Sequence, residues 1–168
     1  GETKVHLHDA SLPDFGDFVE IIVNSHAQNR GVAVHCVTEV ELVFTLSAFR
    51  AAGTNGSDRI EHASVVPPQL IEQLVELDLG VVTQPNFVAE RGEAYLADIP
   101  VKEHPFLYRI KSLLAANVSL AFGTDLPFGN PDPWFAMSAA TRRVTDRGNS
   151  LGANERISAE EAISRFLG

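Results

Sequence analysis

The sequence predicts an α/β fold in which parallel strands alternate with helices. Five apolar, β-branched runs recur along the chain, each is followed by a stretch of helical spacing, and no low-complexity segment or Pro/Gly linker divides the 168 residues. That length suits one domain with a real core. Strict alternation with apolar strands calls for a parallel sheet covered by helices. Two architectures meet this description. One is a five-stranded doubly wound sheet, complete at this length. The other is part of a (β/α)8 barrel of the TIM type, which typically needs about 250 residues. Periodicity does not separate them.

Each element has a local reason. The first run is Lys4–His8, and after it 14–30 carries Phe15, Phe18, Val19, Ile22 and Val23 at helical offsets. The second run is Val32–Val37. Thr38 with Glu41 then makes a capping box ahead of Val40, Val43, Phe44 and Ala48, and Gly53 stands where a C-terminal glycine belongs. The third run is Arg59–Val66. Pro67 and Pro68 open the next helix, with Leu70, Ile71, Leu74 and Val75 as its buried stripe. The fourth run, Gly80–Phe87, precedes a helix marked by Phe106, Ile110, Leu113 and Leu114. Val118–Asp125 is the fifth, and Ser158 with Glu161 forms a second capping box near the end.

Thirteen basic residues against 22 acidic ones give a net charge of −9 with no Lys/Arg cluster, which argues against a nucleic-acid surface. No apolar run approaches a membrane span, and no charged-then-apolar leader opens the chain. Cys36 is the single cysteine, which excludes an internal disulfide and fits a reducing, cytoplasmic setting.

Polar residues gather at the carboxyl ends of the runs. His35 ends "VAVHC", His62 ends "RIEH", Asn86 ends "VVTQPN" and Asp125 ends "LAFGTD". Parallel strands expose these ends at one face in either architecture. Two histidines and a carboxylate are the ligand set of a catalytic divalent metal, zinc especially. Taken singly, a histidine after an apolar strand is equally a hydrogen-bonded core residue, and Asp125 before Leu-Pro-Phe-Gly is equally a turn. Three at equivalent topological places favour a site.

The stretches "VAVHC", "DRIEHAS" and "LAFGTDLPFG", with the histidines 27 residues apart and Asp125 a further 63 on, resemble the metal-dependent amidohydrolase superfamily. The resemblance runs from Lys4 to "ISAEEAISRFLG". It implies that His35 and His62 are the fifth- and sixth-strand metal ligands, and that Asp125 is the eighth-strand residue that binds metal and moves protons. It also implies that Lys4–His8 is the fourth strand, so His6-Leu-His8 is not the first-strand His-x-His of that family. Lys4 then matches the fourth-strand lysine whose carbamate bridges two metals, or else it is a solvated lysine at a strand start. His6 and His8 are assigned to the pocket rim, with His8 a substrate contact, or else His8 and Asp9 only begin a loop. The fold expected is thus a partial (β/α)8 barrel holding its last five strands.

"VAERGEAYLADIPVKEH" is long for a connection between a strand and a helix, and loops at this face supply substrate contacts. Asn86, Phe87, Arg91 and Tyr95 are candidates for a lid or wall, although Arg91 has Glu90, Glu93 and Asp98 nearby as alternative partners. Trp134 is placed over the pocket or, alternatively, packed at a helix start. Glu61 and Ser64 flank His62 and are expected to orient its ring. The chemistry implied is hydrolysis of an amide-type C–N bond in a small-molecule substrate, by water activated on one or two divalent ions, with Asp125 as the proton carrier. The opening Gly and the absent first-strand histidines point to a fragment, inactive alone, completed by a missing N-terminal half or by self-association. The competing reading is a complete five-stranded domain that binds a ligand, with an anion held by the "GTDLPFGNPDP" turn.

Overall fold

The computed structural model describes residues 1–7 and 11–167. Strands β1 (Glu2–His6), β2 (Gly31–Cys36), β3 (Arg59–His62), β4 (Gly80–Thr83) and β5 (Leu120–Phe122) form one parallel sheet in the order β1-β2-β3-β4-β5. Around them run α1 (Phe15–Ala27), α2 (Glu39–Ala52), α3 (Pro68–Glu76), α4 (Asn86–Glu90), α5 (Gly92–Asp98), α6 (Ile110–Ala115), α7 (Pro133–Arg142) and α8 (Ala159–Leu167).

Strand order decides between the two architectures. A doubly wound sheet reverses its order once and so places helices on both faces. Here the order is sequential, and right-handed crossovers in one direction put every helix on the same side. The buried core agrees. Val32, Val34, Cys36, Ile60, Val81, Leu120 and Phe122 pack against Phe18, Ile22, Leu46, Phe49, Leu70, Leu74, Ile110, Leu113 and Met137 in a single cluster. The opposite face carries Glu2, Lys4 and His6 level with Gly31, Ala33 and His35, and the latter two level with Arg59 and Glu61. In a closed barrel that face is the interior. The protein is part of a (β/α)8 barrel, and the doubly wound alternative is excluded by its own topology.

Local chemistry sets the element ends. Asp14 caps α1 by accepting from Gly16 and Asp17 amides, Thr38 and Glu41 close their reciprocal box on α2, and Ser158 and Glu161 do the same at α8. The strands are shorter than the apolar runs. β3 stops at His62 because His62 and Ala63 adopt φ of +69° and +47°, outside the extended region. β4 stops ahead of Pro85, and the rest of its run enters α4. On α2 the buried stripe is Leu42, Leu46 and Phe49, whereas Val40 and Val43 face outward, as do Phe15, Val23 and Val75 on α1 and α3. Two apolar stripes satisfied the helical period on these helices, and packing against the sheet selected one. No helix among the described residues is long and apolar enough to cross a membrane.

Candidate active site

A cavity of about 490 Å³ opens at the carboxyl end of the sheet, and His6, His35, His62 and Asp125 all line it. Four separate segments thus converge, as the topology requires of residues that follow parallel strands. His35 sits at the centre. Its ring lies 5.3 Å from that of His6, its register partner on β1, and 4.5 Å from that of His62 in an edge-on contact. His62 also stacks on Phe87 at 6.4 Å.

His62 is the most constrained of these groups. It is buried, its φ of +69° is costly for a residue with a Cβ, and its backbone carbonyl is held by Thr83 Oγ1 at 2.8 Å. Its Nδ1 is buried without a hydrogen-bond partner. Burial lowers the imidazole pKa below the usual 6.5, and the His6 and Arg91 charges push the same way, against the opposing pull of Asp125 and Gln84. A neutral imidazole with a spare lone pair in a dry site is what a metal ligand needs.

Asp125 lies at φ +57° on a loop that the chain holds tightly. Phe128 and Gly129 amides donate to its carbonyl at 2.7 and 3.1 Å. Asn86 Nδ2 donates to the Thr124 carbonyl at 3.2 Å and to Glu90 Oε2 at 3.0 Å, and Glu90 Oε1 receives the Asn130 amide at 2.8 Å. Position 129 must be glycine, since a Cβ there would stand 2.3 Å from the Thr124 carbonyl oxygen and 2.4 Å from Asn86 Nδ2. A clamp from α4 therefore fixes the turn that carries Asp125.

The far wall comes from the long connection after β4. Phe87, Arg91, Tyr95 and Ile99 face the cavity, joined by Leu107, Tyr108 and Phe128. Tyr108 is buried and hydrogen-bonded to Ser64 Oγ at 3.2 Å and Tyr95 Oη at 3.0 Å, and burial drives its phenol pKa well up, so both tyrosines stay neutral. Beneath this wall Arg143, fully buried, donates to the carbonyls of Leu107, Tyr108 and Leu151. Burial lowers its pKa to about 10, still charged at neutral pH.

The other residues singled out in the sequence lie around or away from this cavity. Lys4 lies two residues before His6 on the same face of the sheet, its side chain 70% exposed and its Nζ 3.7 Å from Glu2, and it is not among the residues that line the cavity. Asn86 is wholly buried and its Nδ2 holds the Thr124 carbonyl and Glu90 from behind the Asp125 loop, while its Oδ1 is buried without a partner. Trp134 is 68% exposed on α7, which Asp132 caps so that Ala136, Met137 and Ala140 face inward instead. Glu61 pairs with Arg59 and Ser64 with Tyr108, so neither orients the His62 ring. In the "GTDLPFGNPDP" turn the amides of Phe128, Gly129, Asn130 and Asp132, and that of Trp134 just after it, are taken by the chain's own oxygens. His8 falls outside the described residues. Tyr108 and Arg143 carry no sequence signal, since only tertiary packing makes them central.

The donor set of two histidines, a third at the rim and one carboxylate fits a divalent ion in chemical type, and the orphaned His62 Nδ1 fits it in particular. Among the described residues, no three His, Cys, Asp or Glu side chains stand close enough together to hold an ion as they are.

Comparison with known proteins agrees with this geometry. A model of the amidohydrolase family matches residues 1–166. The chain is 24% identical over 168 residues to an N-substituted formamide deformylase of Arthrobacter pascens, covering 97% of this chain and 31% of that protein. It is 25% identical over 151 residues to the putative amidohydrolase YtcJ of Bacillus subtilis, covering 87% of this chain and 28% of that protein. It therefore spans about a third of the length of these relatives. Crystal structures of uncharacterized metal-dependent hydrolases from Pyrococcus furiosus and Pyrococcus horikoshii superpose with TM-scores of 0.83 and 0.82 at 25% and 24% identity. They cover 97% and 92% of this chain, and 37% and 32% of theirs. The chain belongs to the amidohydrolase family.

Proposed function

We propose that this chain supplies the metal- and proton-handling half of a metal-dependent hydrolase that cleaves amide-type C–N bonds. The observation that carries the reading is the convergence of His35, His62 and Asp125 on one cavity, with His62 Nδ1 buried and unsatisfied. The N-substituted formamide deformylase relative supports an amide as the bond class.

His35, His62 and Asp125 would hold the ion, with His6 adjacent to His35 as a further donor. Zinc suits this mixed nitrogen and oxygen set. A divalent ion bound there would supply Lewis acidity, polarising the carbonyl and bringing water's pKa to around 7. The chain's own work is proton transfer and positioning. Asp125 takes a proton from the attacking water and returns it to the departing nitrogen, so one carboxylate serves both steps. The Asn86–Glu90 clamp keeps that carboxylate at a fixed height above the sheet. Burial lowers the His62 pKa below 6.5, which favours the neutral imidazole that a ligand role needs. The apolar wall restricts water to the reacting face.

Lys4, on the same face of the sheet as His6, belongs to the reading as the carbamate-forming residue. Completion of the barrel by further strands, from the same or another chain, belongs to the reading as well. Titration of the 168-residue chain with zinc, followed calorimetrically, tests it: binding weaker than about micromolar is expected from an open ligand set, and His62→Ala should remove it. Binding that is unaltered in His62→Ala and His35→Ala would refute the assignment.

A further inference from the structure

The turn between α2 and β3 carries chemistry that the cavity at the carboxyl end does not use. Residues 55–58 read Asn-Gly-Ser-Asp, and this is the one place in the sequence where glycine follows asparagine. The side-chain carbonyl carbon of an asparagine and the backbone nitrogen of the next residue can close a five-membered ring, a succinimide. Closure needs an unblocked nitrogen, hence a following residue without a Cβ and an amide not already spent.

Both conditions meet at Asn55. Gly56 is exposed, its φ lies outside the left-handed region, and its amide donates to no acceptor among the described residues. The Ser57 amide donates to Asn55 Oδ1 at 2.9 Å, which polarises the side-chain carbonyl and favours attack on Cγ. The departing nitrogen, Nδ2, makes a long contact with the Arg30 carbonyl at 3.5 Å. The turn borders an open polar cavity of about 410 Å³ shared with His26, Arg30 and Thr54, so water reaches the ring once it forms. The other asparagines lack one condition or both. The amides after Asn29, Asn86, Asn117 and Asn154 are donated to the carbonyls of Ser25, Gln84, Leu113 and Gly152. Pro131 after Asn130 has no N–H, and the serines after Asn24 and Asn149 carry a Cβ.

We infer that Asn55 is a site of spontaneous modification, converting through a succinimide to aspartate and isoaspartate with water as the co-reactant. The Gly56 nitrogen attacks Asn55 Cγ, the Cγ–Nδ2 bond breaks, and Nδ2 leaves as ammonia with the Gly56 proton. Water then opens the ring. Breaking the new Cγ–N bond gives aspartate. Breaking the original peptide bond of Asn55 gives isoaspartate, with the chain rerouted through Cγ. No group is oxidised or reduced.

Isoaspartate lengthens the backbone by one atom where the fold has no slack. Gly31 packs so closely on this turn that a Cβ there would stand 2.5 Å from the Ser57 carbonyl oxygen. The Asn55 amide donates to Asp58 Oδ2 at 2.7 Å, the Asp58 amide to the Asn55 carbonyl at 3.0 Å, and the Val32 amide to Asp58 Oδ1 at 2.8 Å. Rerouting the chain displaces these bonds and loosens the Asp58 anchor between β2 and β3. None of this depends on the hydrolase reading.

The test is incubation of the folded 168-residue chain in warm, mildly alkaline buffer. Ammonia release is measured, and peptide mass spectrometry with fragmentation that separates isoaspartate from aspartate follows each asparagine. Asn55 should convert about tenfold or more faster than the others. Gly56→Ala is tolerated, because a Cβ there meets nothing within 4 Å, and should slow the conversion by a similar factor. The isoaspartyl fraction should unfold at lower urea than Asn55→Asp, which carries the new carboxylate on an unaltered backbone. An Asn55 that stays unmodified, converts no faster than the other asparagines, or converts equally fast in Gly56→Ala would overturn the site. An isoaspartyl form as stable as Asn55→Asp would overturn the loss of the Asp58 anchor.

Discussion

At the amino end of the sheet, Arg59 pairs with Glu2 and with Glu61 at 2.7 Å, Lys4 lies 3.7 Å from Glu2, and His26 meets the buried Asp58 at 3.0 Å. Asp58 in turn accepts the amides of Val32 and Asn55. A few residues further along the same strands, the carboxyl end gathers His6, His35, His62 and Asp125 around one cavity. Orphaned buried atoms and left-handed backbone occur at both ends, Arg30 Nε with Asn29, Asp78 and Asn117 at the first and His62 Nδ1 with Asp125 at the second, so they do not separate them. The difference is in how the charges are used: at one end they pair across neighbouring strands, and at the other the histidines and Asp125 line a cavity.

The largest expected effect lies at the carboxyl end. In the intact enzyme Asp125→Asn should reduce kcat by about 10²–10⁴-fold with metal content near normal, measured by turnover and elemental analysis. A smaller drop would move the proton carrier elsewhere and weaken the contrast. Next comes the support beneath that end. Arg143→Met leaves the carbonyls of Leu107, Tyr108 and Leu151 buried without donors and should cost roughly 3 kcal/mol in urea unfolding. Asn86→Ala should cost about 1–3 kcal/mol and speed hydrogen exchange at the Phe128 and Gly129 amides, because the Asp125 turn loses its clamp.

The paired end should respond more mildly. Arg59→Ala should cost about 1 kcal/mol or less and be muted by salt, since the cluster is partly exposed. The Arg59 hydrogen bond holds Glu2 below its ordinary 4.5, so this contribution is present above that value and disappears as pH falls through the lowered one. His62 sharpens the contrast from the other side. Its folded pKa lies below 6.5, so the unfolded chain takes up that proton first, and stability declines as pH drops from 6.5 toward the folded midpoint. An NMR titration of His62 with a midpoint above 6.5 would mean the site is wetter than described.

Much of this was legible in the chain because it depends on short-range chemistry. The capping boxes at Thr38 and Ser158 and the five apolar runs follow from neighbours within a few residues, and the order of His35, His62 and Asp125 after their strands follows from alternation alone. Sequential sheet order, and with it the choice of barrel over doubly wound sheet, needed the strand neighbours. So did the partnership of His35 with His6 rather than Lys4, because register is a relation between segments about 29 residues apart that no local pattern encodes. Asn86, Trp134 and Arg91 turned on competition among distant partners: Asn86 was drawn to Thr124, Trp134 was turned outward by the packing of α7, and Arg91 was left over once Glu90 and Glu93 had bonded elsewhere. Sequence alone determined which kinds of side chain reach the carboxyl end of the sheet. Tertiary structure decided which of them remain unpaired there, since hydrogen bonds and ion pairs are settled only when every competing group has its final position.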